Sequence, residues 1–296
     1  MDTTHALRGI YVPLITPFTP AGELATDALE SLAHQVLDDG ATGLVALGTT
    51  GEPGALDEAE KAAVVEVCTR VCRERGAQLL VGAAGTATRQ VVQALRGLDH
   101  EVTAALTLVP PFARAGDAAV LAHFRELAAQ SPVPLVVYHI PYRTGQQLST
   151  ATLRELAELP GIAGIKLATG AVDPQAVELL GAELPGFAVL GGDDAVLPPL
   201  LALGAAGGIL ASAHLATARW VELAEAWRAG EAGRARALGH RLAELAAAAF
   251  AEPNPTVVKG VLHAQGRIPS PAVRLPLLAA GGAPVARALE VLAAVD

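Results

Sequence analysis

Eight short apolar runs recur along the 296 residues, each bounded by Gly or Pro and each followed by an amphipathic stretch. The runs are GIYVPLIT from Gly9, GLVAL from Gly43, QLLVG from Gln78, AALTL from Ala104, PLVVYHI from Pro134, GIAGIKL from Gly161, FAVLGG from Phe187 and GGILAS from Gly207. The amphipathic pieces are Thr26 to Asp38, Asp57 to Arg75, Ala87 to Leu98, Asp117 to Ala129, Thr150 to Glu158, Pro174 to Leu184, Ala195 to Leu203 and Ala216 to Arg228. Strands that are apolar throughout, not alternating, suit a parallel sheet covered on both faces. Eight strand–helix units of about 25 to 30 residues close a (β/α)8 barrel. From Glu231 onward only helical patterns follow, so residues 1–228 are assigned to a catalytic α/β TIM barrel and residues 229–296 to a C-terminal helical domain. A doubly wound sheet is the competing architecture, weakened by the lack of a dinucleotide fingerprint.

Composition excludes several function classes. The chain is 52% hydrophobic and 17% charged, enough apolar material for a large core. A net charge of −9 and 3% aromatic residues leave no electrostatic footprint for nucleic acid or anionic lipid. Ala195 to Ala218 carries no charged residue and is long enough to span a bilayer, but Pro198, Pro199, Gly204, Gly207 and Gly208 break it. The opening MDTTHALRGI has Asp2 and no basic region before an apolar core, so no secretory signal is read and a cytoplasmic location is expected. Cys68 and Cys72, the only cysteines, are expected to be reduced core residues. The eight histidines show no metal-binding spacing, and GTTGEPG at Gly48 lacks the Lys and Ser/Thr of a phosphate loop, so neither a metal nor a nucleotide is expected.

A barrel of this kind places its chemistry at the C-terminal ends of its strands. Only three lysines occur against eighteen arginines, and Lys61 and Lys259 fall in expected helices, where a solvated amine is ordinary. Lys166 instead ends the apolar run GIAGI. Desolvation there lowers an amine's pKa and yields the neutral nucleophile that forms a Schiff base with a keto acid. The alternative is a structural lysine paired with a buried carboxylate such as Asp193. Tyr138, ending the adjacent run, is either a general acid/base or a core phenol bonded to backbone. His139, one step along, is read as packing. Thr49 and Thr50 offer hydroxyls and amides to a carboxylate or else cap the next segment. Arg143 either holds a carboxylate bidentately or is a surface arginine. In Gly191-Gly192-Asp193-Asp194, Gly192 allows close backbone approach and the aspartates are expected to cap a helix.

GTTGE at Gly48, YHIPYRTG at Tyr138, GIKLATG at Gly164, GGDD at Gly191 and EPNPTVVK at Glu252 together resemble the ordered motifs of the dihydrodipicolinate synthase and N-acetylneuraminate lyase superfamily. The likeness runs from VPLITPF at Val12 to RLP at Arg274 and is closest to the synthases. It implies a pyruvate-dependent lyase or synthase with Lys166 as the Schiff-base lysine, and Tyr138 as proton donor and acceptor. Thr49 is then a relay hydroxyl, Thr50 and its amide hold the pyruvate carboxylate, and the backbone of Ile209 lines the pyruvate pocket. Arg143 matches the arginine that receives the carboxylate of aspartate semialdehyde. No cofactor is implied beyond the covalent lysine–pyruvate imine; the partners are a small keto acid and an aldehyde, and the assembly a homodimer or homotetramer. Three positions depart from the family: Phe112 stands where synthases carry a relay tyrosine from the neighbouring subunit, Leu167 replaces a glutamate and His139 an asparagine. The loss at Phe112 keeps a 2-keto-3-deoxy sugar-acid aldolase open as the rival reading. A keto-acid-binding paralogue without turnover is disfavoured by the retained Lys166 and Tyr138.

Lysine-inhibited synthases bind their effector through His, Asn, Glu and Tyr side chains, and the matching positions here read Glu58, Lys61, Thr86, Gln90 and Pro111. A cationic amino acid would meet a cation there, so free lysine at physiological concentration should leave steady-state turnover unchanged; inhibition would refute this reading.

Overall fold

The computed structural model describes residues 7–295. The N-terminal reading of no secretory leader rests in part on residues 1–6, which lie outside the described residues. All eight expected strands form: β1 (Gly9–Pro13), β2 (Gly43–Ala46), β3 (Gln78–Gly82), β4 (Ala104–Leu108), β5 (Leu135–His139), β6 (Ile162–Leu167), β7 (Ala188–Gly191) and β8 (Gly207–Ile209). They pair in sequence order as one closed barrel, and every register described is parallel. The helices are α1 (Thr26–Asp38), α2 (Glu58–Arg75), α3 (Thr88–Arg96), α4 (Asp117–Gln130), α5 (Pro141–Thr144), α6 (Thr150–Glu158), α7 (Pro174–Leu180), α8 (Leu197–Ala202), α9 (Ala213–Arg228), α10 (Ala232–Ala249), α11 (Thr256–Ala264) and α12 (Gly282–Val295). This is the TIM-barrel architecture with helices following the last strand. No described helix is long and apolar enough to cross a membrane.

Local chemistry sets most boundaries. Asp57 and Glu60 form a capping box at the start of α2, with bonds of 2.8 and 3.0 Å, and Gly76 at φ 61° ends that helix. α7 stops at Leu180, four residues before the expected end, where Gly181, a weak helix former, takes the cap position. The expected helix from Ala195 resolves into a 3-10 turn, Asp194–Val196, followed by α8, with Pro198 and Pro199 in the first helical turn where a missing N–H costs nothing. α5 is four residues long, too short for periodicity to announce.

The chain divides into two compact units, one containing Leu80–Gly208 and the other Gly9–Leu79 with Ile209 onward. In the first, β5 is buried along its whole length and Phe124 and Leu127 of α4 are fully buried. In the second, Trp220 of α9, Phe18, and Leu29 and Leu32 of α1 are fully buried.

The second unit also contains a buried charge network that overturns one expectation. Lys259 on α11 is not solvated but 0% exposed, with Nζ 2.5 Å from Glu52 Oε1, 2.8 Å from the Ala272 carbonyl and over the Phe18 ring at 4.2 Å. Burial pushes the ammonium down to about 8, while Glu52 pulls it back up. Arg274 completes the network: its N–H donates to Glu52 Oε2 at 2.9 Å and its guanidinium holds Glu60 with two bonds of 2.6 Å, which takes the Glu60 carboxyl down to about 2. Period-3.6 reasoning places Lys259 on a helix but cannot say that the helix is enclosed on all sides. Cys68 and Cys72 are free and buried, as expected.

Two histidines serve packing in their neutral form. The Ile15 N–H donates to His214 Nε2 at 3.1 Å, and His214 Nδ1 lies 2.8 Å from the Ala211 carbonyl. One ring nitrogen therefore accepts while the other donates, an arrangement only neutral imidazole allows. His139 is fully buried with neither ring nitrogen hydrogen-bonded. Burial pushes both down to about 4. A histidine with a depressed folded pKa contributes stability that is full above about 6.5 and is lost as pH falls towards 4. Denaturant unfolding should therefore show a loss on the order of 3 kcal/mol per such histidine between pH 6.5 and 4. His139→Leu or His214→Asn should shrink that loss, and an unchanged pH slope in both would contradict this account.

Candidate active site

The unit built on Leu80–Gly208 brings two candidates side by side. Tyr138 and Lys166 are register partners on β5 and β6, each 7% exposed, and Lys166 Nζ lies 4.4 Å from the centre of the Tyr138 ring. The amine therefore lies against the face of the phenol ring. Among the described residues Lys166 forms no ion pair, so the structural alternative with Asp193 is not realised. Asp193 is engaged elsewhere: Oδ1 accepts from the Tyr142 hydroxyl at 3.0 Å and Oδ2 from the Gly170 N–H at 2.6 Å. That geometry also corrects the capping expectation, since Asp193 precedes the 3-10 turn without a side-chain bond into it.

Gly192 is required by space, not by backbone conformation. A Cβ added there would lie 2.7 Å from Lys166 Cε and 2.8 Å from Cγ. The lysine chain occupies the volume that any other residue would fill. Arg143 sits exposed on α5 and forms no ion pair among the described residues, leaving its guanidinium available to an anion. His139, next to Tyr138 in sequence, is packed away as expected.

The unit containing Gly9–Leu79 holds the remaining candidates. Thr49 and Thr50 occupy a 3-10 turn, Thr49–Gly51, that follows β2. Thr49 is exposed and Thr50 buried. The turn is held from several sides: the Gly51 N–H donates to the Gly48 carbonyl at 2.9 Å, the Thr16 hydroxyl to the Gly51 carbonyl at 2.7 Å, and Asn254 Nδ2 to Thr50 Oγ1 at 2.9 Å. Glu52 leaves the turn in the left-handed region at φ 53°, a conformation that costs a non-glycine residue and is sustained here by its bonds to Lys259 and Arg274. Ile209 ends β8 and is buried.

Neither threonine caps the turn, since its first position is Gly48 with no side-chain bond. Sequence reasoning missed Tyr142, Asn254, Glu52 and Lys259 as members or supports of these clusters. EPNPTVVK contains two of them, and the tyrosine inside YHIPYRTG was the available signal for Tyr142. Among the described residues no group of three or more His, Cys, Asp or Glu side chains is placed to hold a metal ion.

Comparison with known proteins gives a consistent picture. A family model described as the dihydrodipicolinate synthetase family matches residues 6–284. The 4-hydroxy-tetrahydrodipicolinate synthase 2 of Clostridium acetobutylicum is 34% identical over 273 residues, covering 92% of this chain and 94% of that one. The 4-hydroxy-tetrahydrodipicolinate synthase of Moorella thermoacetica is 35% identical over 276 residues, covering 92% of each. Among solved structures, the chloride-inhibited dihydrodipicolinate synthase from Acinetobacter baumannii complexed with pyruvate superposes with a TM-score of 0.90 at 32% identity, covering 97% of this chain and 99% of that one.

The contact between Gly192 and Lys166 yields a direct test. Gly192→Ala should displace the amine and slow borohydride trapping of a 2-keto acid on Lys166 by about 10²-fold, the scale of an ångström-sized misplacement. Trapping at the original rate would show that the lysine does not depend on this space.

Proposed function

This chain belongs to the dihydrodipicolinate synthetase family, and on that premise we propose that it condenses pyruvate with aspartate semialdehyde through an imine on Lys166. The observation that carries the reading is a buried lysine at the end of β6, free of any carboxylate partner among the described residues and lying on the face of Tyr138. A lysine held by a carboxylate would be tied into an ion pair; this one has no such anchor. Its neutral amine adds to C2 of pyruvate, Tyr138 gives a proton to the departing hydroxyl, and water leaves as the imine forms. Loss of a proton from C3 then gives the enamine, whose C3 attacks the aldehyde carbon while the aldehyde oxygen takes up a proton. Attack of the second substrate's amine on C2 closes a ring and releases Lys166. No cofactor beyond the covalent imine enters this scheme.

The other roles follow from the same membership. Thr50 and its amide take the pyruvate carboxylate, Thr49 passes protons, and the Ile209 backbone lines the pyruvate site. Gly192 makes room for the lysine chain. Arg143 takes the carboxylate of the aldehyde, a role supported by its exposed and unpaired guanidinium. Residues 1–228 are proposed as the catalytic barrel and 229–296 as its helical domain, working as a cytoplasmic homodimer or homotetramer.

One observation favours a second reading. Phe112 is 81% exposed with φ 69°, projecting a ring without a hydroxyl where the family's relay tyrosine stands. A cleavage of 2-keto-3-deoxy sugar acids makes lighter demands on that relay, and efficient cleavage combined with negligible synthase turnover would select it.

Incubation with pyruvate and borohydride should attach one reduced three-carbon adduct per chain, mapped by peptide mass spectrometry to the segment containing Ile165 and Lys166. Lys166→Arg should abolish it, because arginine stays protonated. Labelling at Lys61 or at the ion-paired Lys259 would sink the mechanism.

A further inference from the structure

A buried hydroxyl points one way only if its surroundings choose the direction, and at Thr50 they do. The side chain is enclosed, and its Oγ1 accepts one hydrogen bond, from Asn254 Nδ2 at 2.9 Å. A hydroxyl carries one donor and two acceptor sites, whereas an amide N–H can only donate. The bond therefore occupies a lone pair of Oγ1 and leaves the O–H to point elsewhere. Among the described residues no group accepts the Thr50 proton. Thr16, whose hydroxyl donates to the Gly51 carbonyl at 2.7 Å, uses its proton to hold the same turn.

Asn254 is held in place for this contact. It immediately precedes the segment that opens α11, and five residues further on Lys259 binds Glu52 Oε1 at 2.5 Å. The Thr49–Gly51 turn is thus tied to one stretch of chain at two points, through residue 50 by Asn254 and through residue 52 by Lys259. Meanwhile Asn254 Oδ1 is sealed from solvent without a hydrogen-bond partner among the described residues. Such a group is costly, so the contact with Thr50 is not a by-product of an amide satisfying itself.

We propose that Asn254 is a positioning residue for the keto acid: by occupying a lone pair of Thr50 Oγ1 it commits the Thr50 O–H to donate, and so readies the turn for an ionised carboxylate. The role rests on the reading that Thr50 takes the carboxylate of pyruvate. A carboxylate offers only acceptors, and a donor already aimed at it need not be reoriented on binding. Asn254 itself touches no substrate atom in this scheme and acts through Thr50. Its direction is what matters, because an acceptor in its place would draw the Thr50 proton away from the substrate.

The measurement is the pyruvate concentration that half-saturates borohydride trapping on Lys166, read by mass spectrometry of the intact chain. Asn254→Ala should raise it by about tenfold, the scale of one hydrogen bond to a charged group, with one adduct per chain still reached at saturation. Asn254→Asp, which keeps the shape but can only accept, should raise it at least as much, and it keeps the test alive should the alanine variant fail to fold. Thr50→Val should raise it too, and adding Asn254→Ala to Thr50→Val should change it by less than about twofold, since the hydroxyl through which Asn254 acts is already gone. Half-saturation within twofold of wild type in Asn254→Asp, or effects of the two sites that multiply in the double variant, overturns the positioning role and leaves the imine reading standing. Thr50→Val with wild-type half-saturation overturns the carboxylate reading of Thr50 together with this role, and a wild-type protein that gives no trapped adduct overturns the imine reading as well.

Discussion

A parallel strand covered on both faces has no wet side, and the closed order of eight such strands decides where this protein can keep chemistry. Along β1, β2 and β5 every residue is buried, so polar side chains are admitted only where they find a partner or where the strand ends. Tyr138 and Lys166 occupy such positions on neighbouring strands, in register with each other. Placing an amine there removes most of its water without supplying a counter-charge. The amine lies instead against the phenol face, 4.4 Å from the ring centre.

Space is controlled as tightly as charge. The stem of Lys166 lies where the side chain of residue 192 would be, so glycine at that position and lysine at the end of β6 form one structural feature. Asp193, immediately following, has both carboxylate oxygens committed, one to the Tyr142 hydroxyl and one to the Gly170 amide. A carboxylate tied in this way cannot swing onto the lysine and neutralise it as an ion pair. The same contact that keeps Asp193 away from Lys166 also presents it to a phenol at the surface.

The other unit uses charge for support. Glu52, Lys259 and Arg274 are joined by bonds of 2.5 and 2.9 Å, Glu52 and Lys259 buried and Arg274 half-buried, and Glu52 is the residue that leaves the Thr49–Gly51 turn in left-handed backbone. Removing one member of such a pair strands its partner's charge in the interior, which is costly, whereas the intact set is merely neutral to mildly favourable. Its value lies in fixing the turn. Asn254 adds a direct bond to Thr50, so α11 and the segment before it hold the threonine loop from two directions.

Much of the fold was legible in the sequence because it is written in local terms. Continuous apolar runs, their Gly and Pro boundaries and the 3.6-residue pattern between them depend on neighbours within a few positions, and all eight strands appear where those signals place them. Lys166 stood out for a related reason: a lysine ending an apolar strand violates the local pattern. What the sequence could not express is which distant groups meet. Lys259 reads as an ordinary helical lysine until tertiary packing seals it against Glu52, 207 residues away. Tyr142 carries no mark in the sequence until Asp193, 51 residues on, accepts a hydrogen bond from its hydroxyl. By itself the sequence determined the strand and helix order and the one strand-end amine; only the tertiary structure decided which charges are paired and which is left free, because hydrogen bonds and desolvation act across space and leave no periodic trace along the chain.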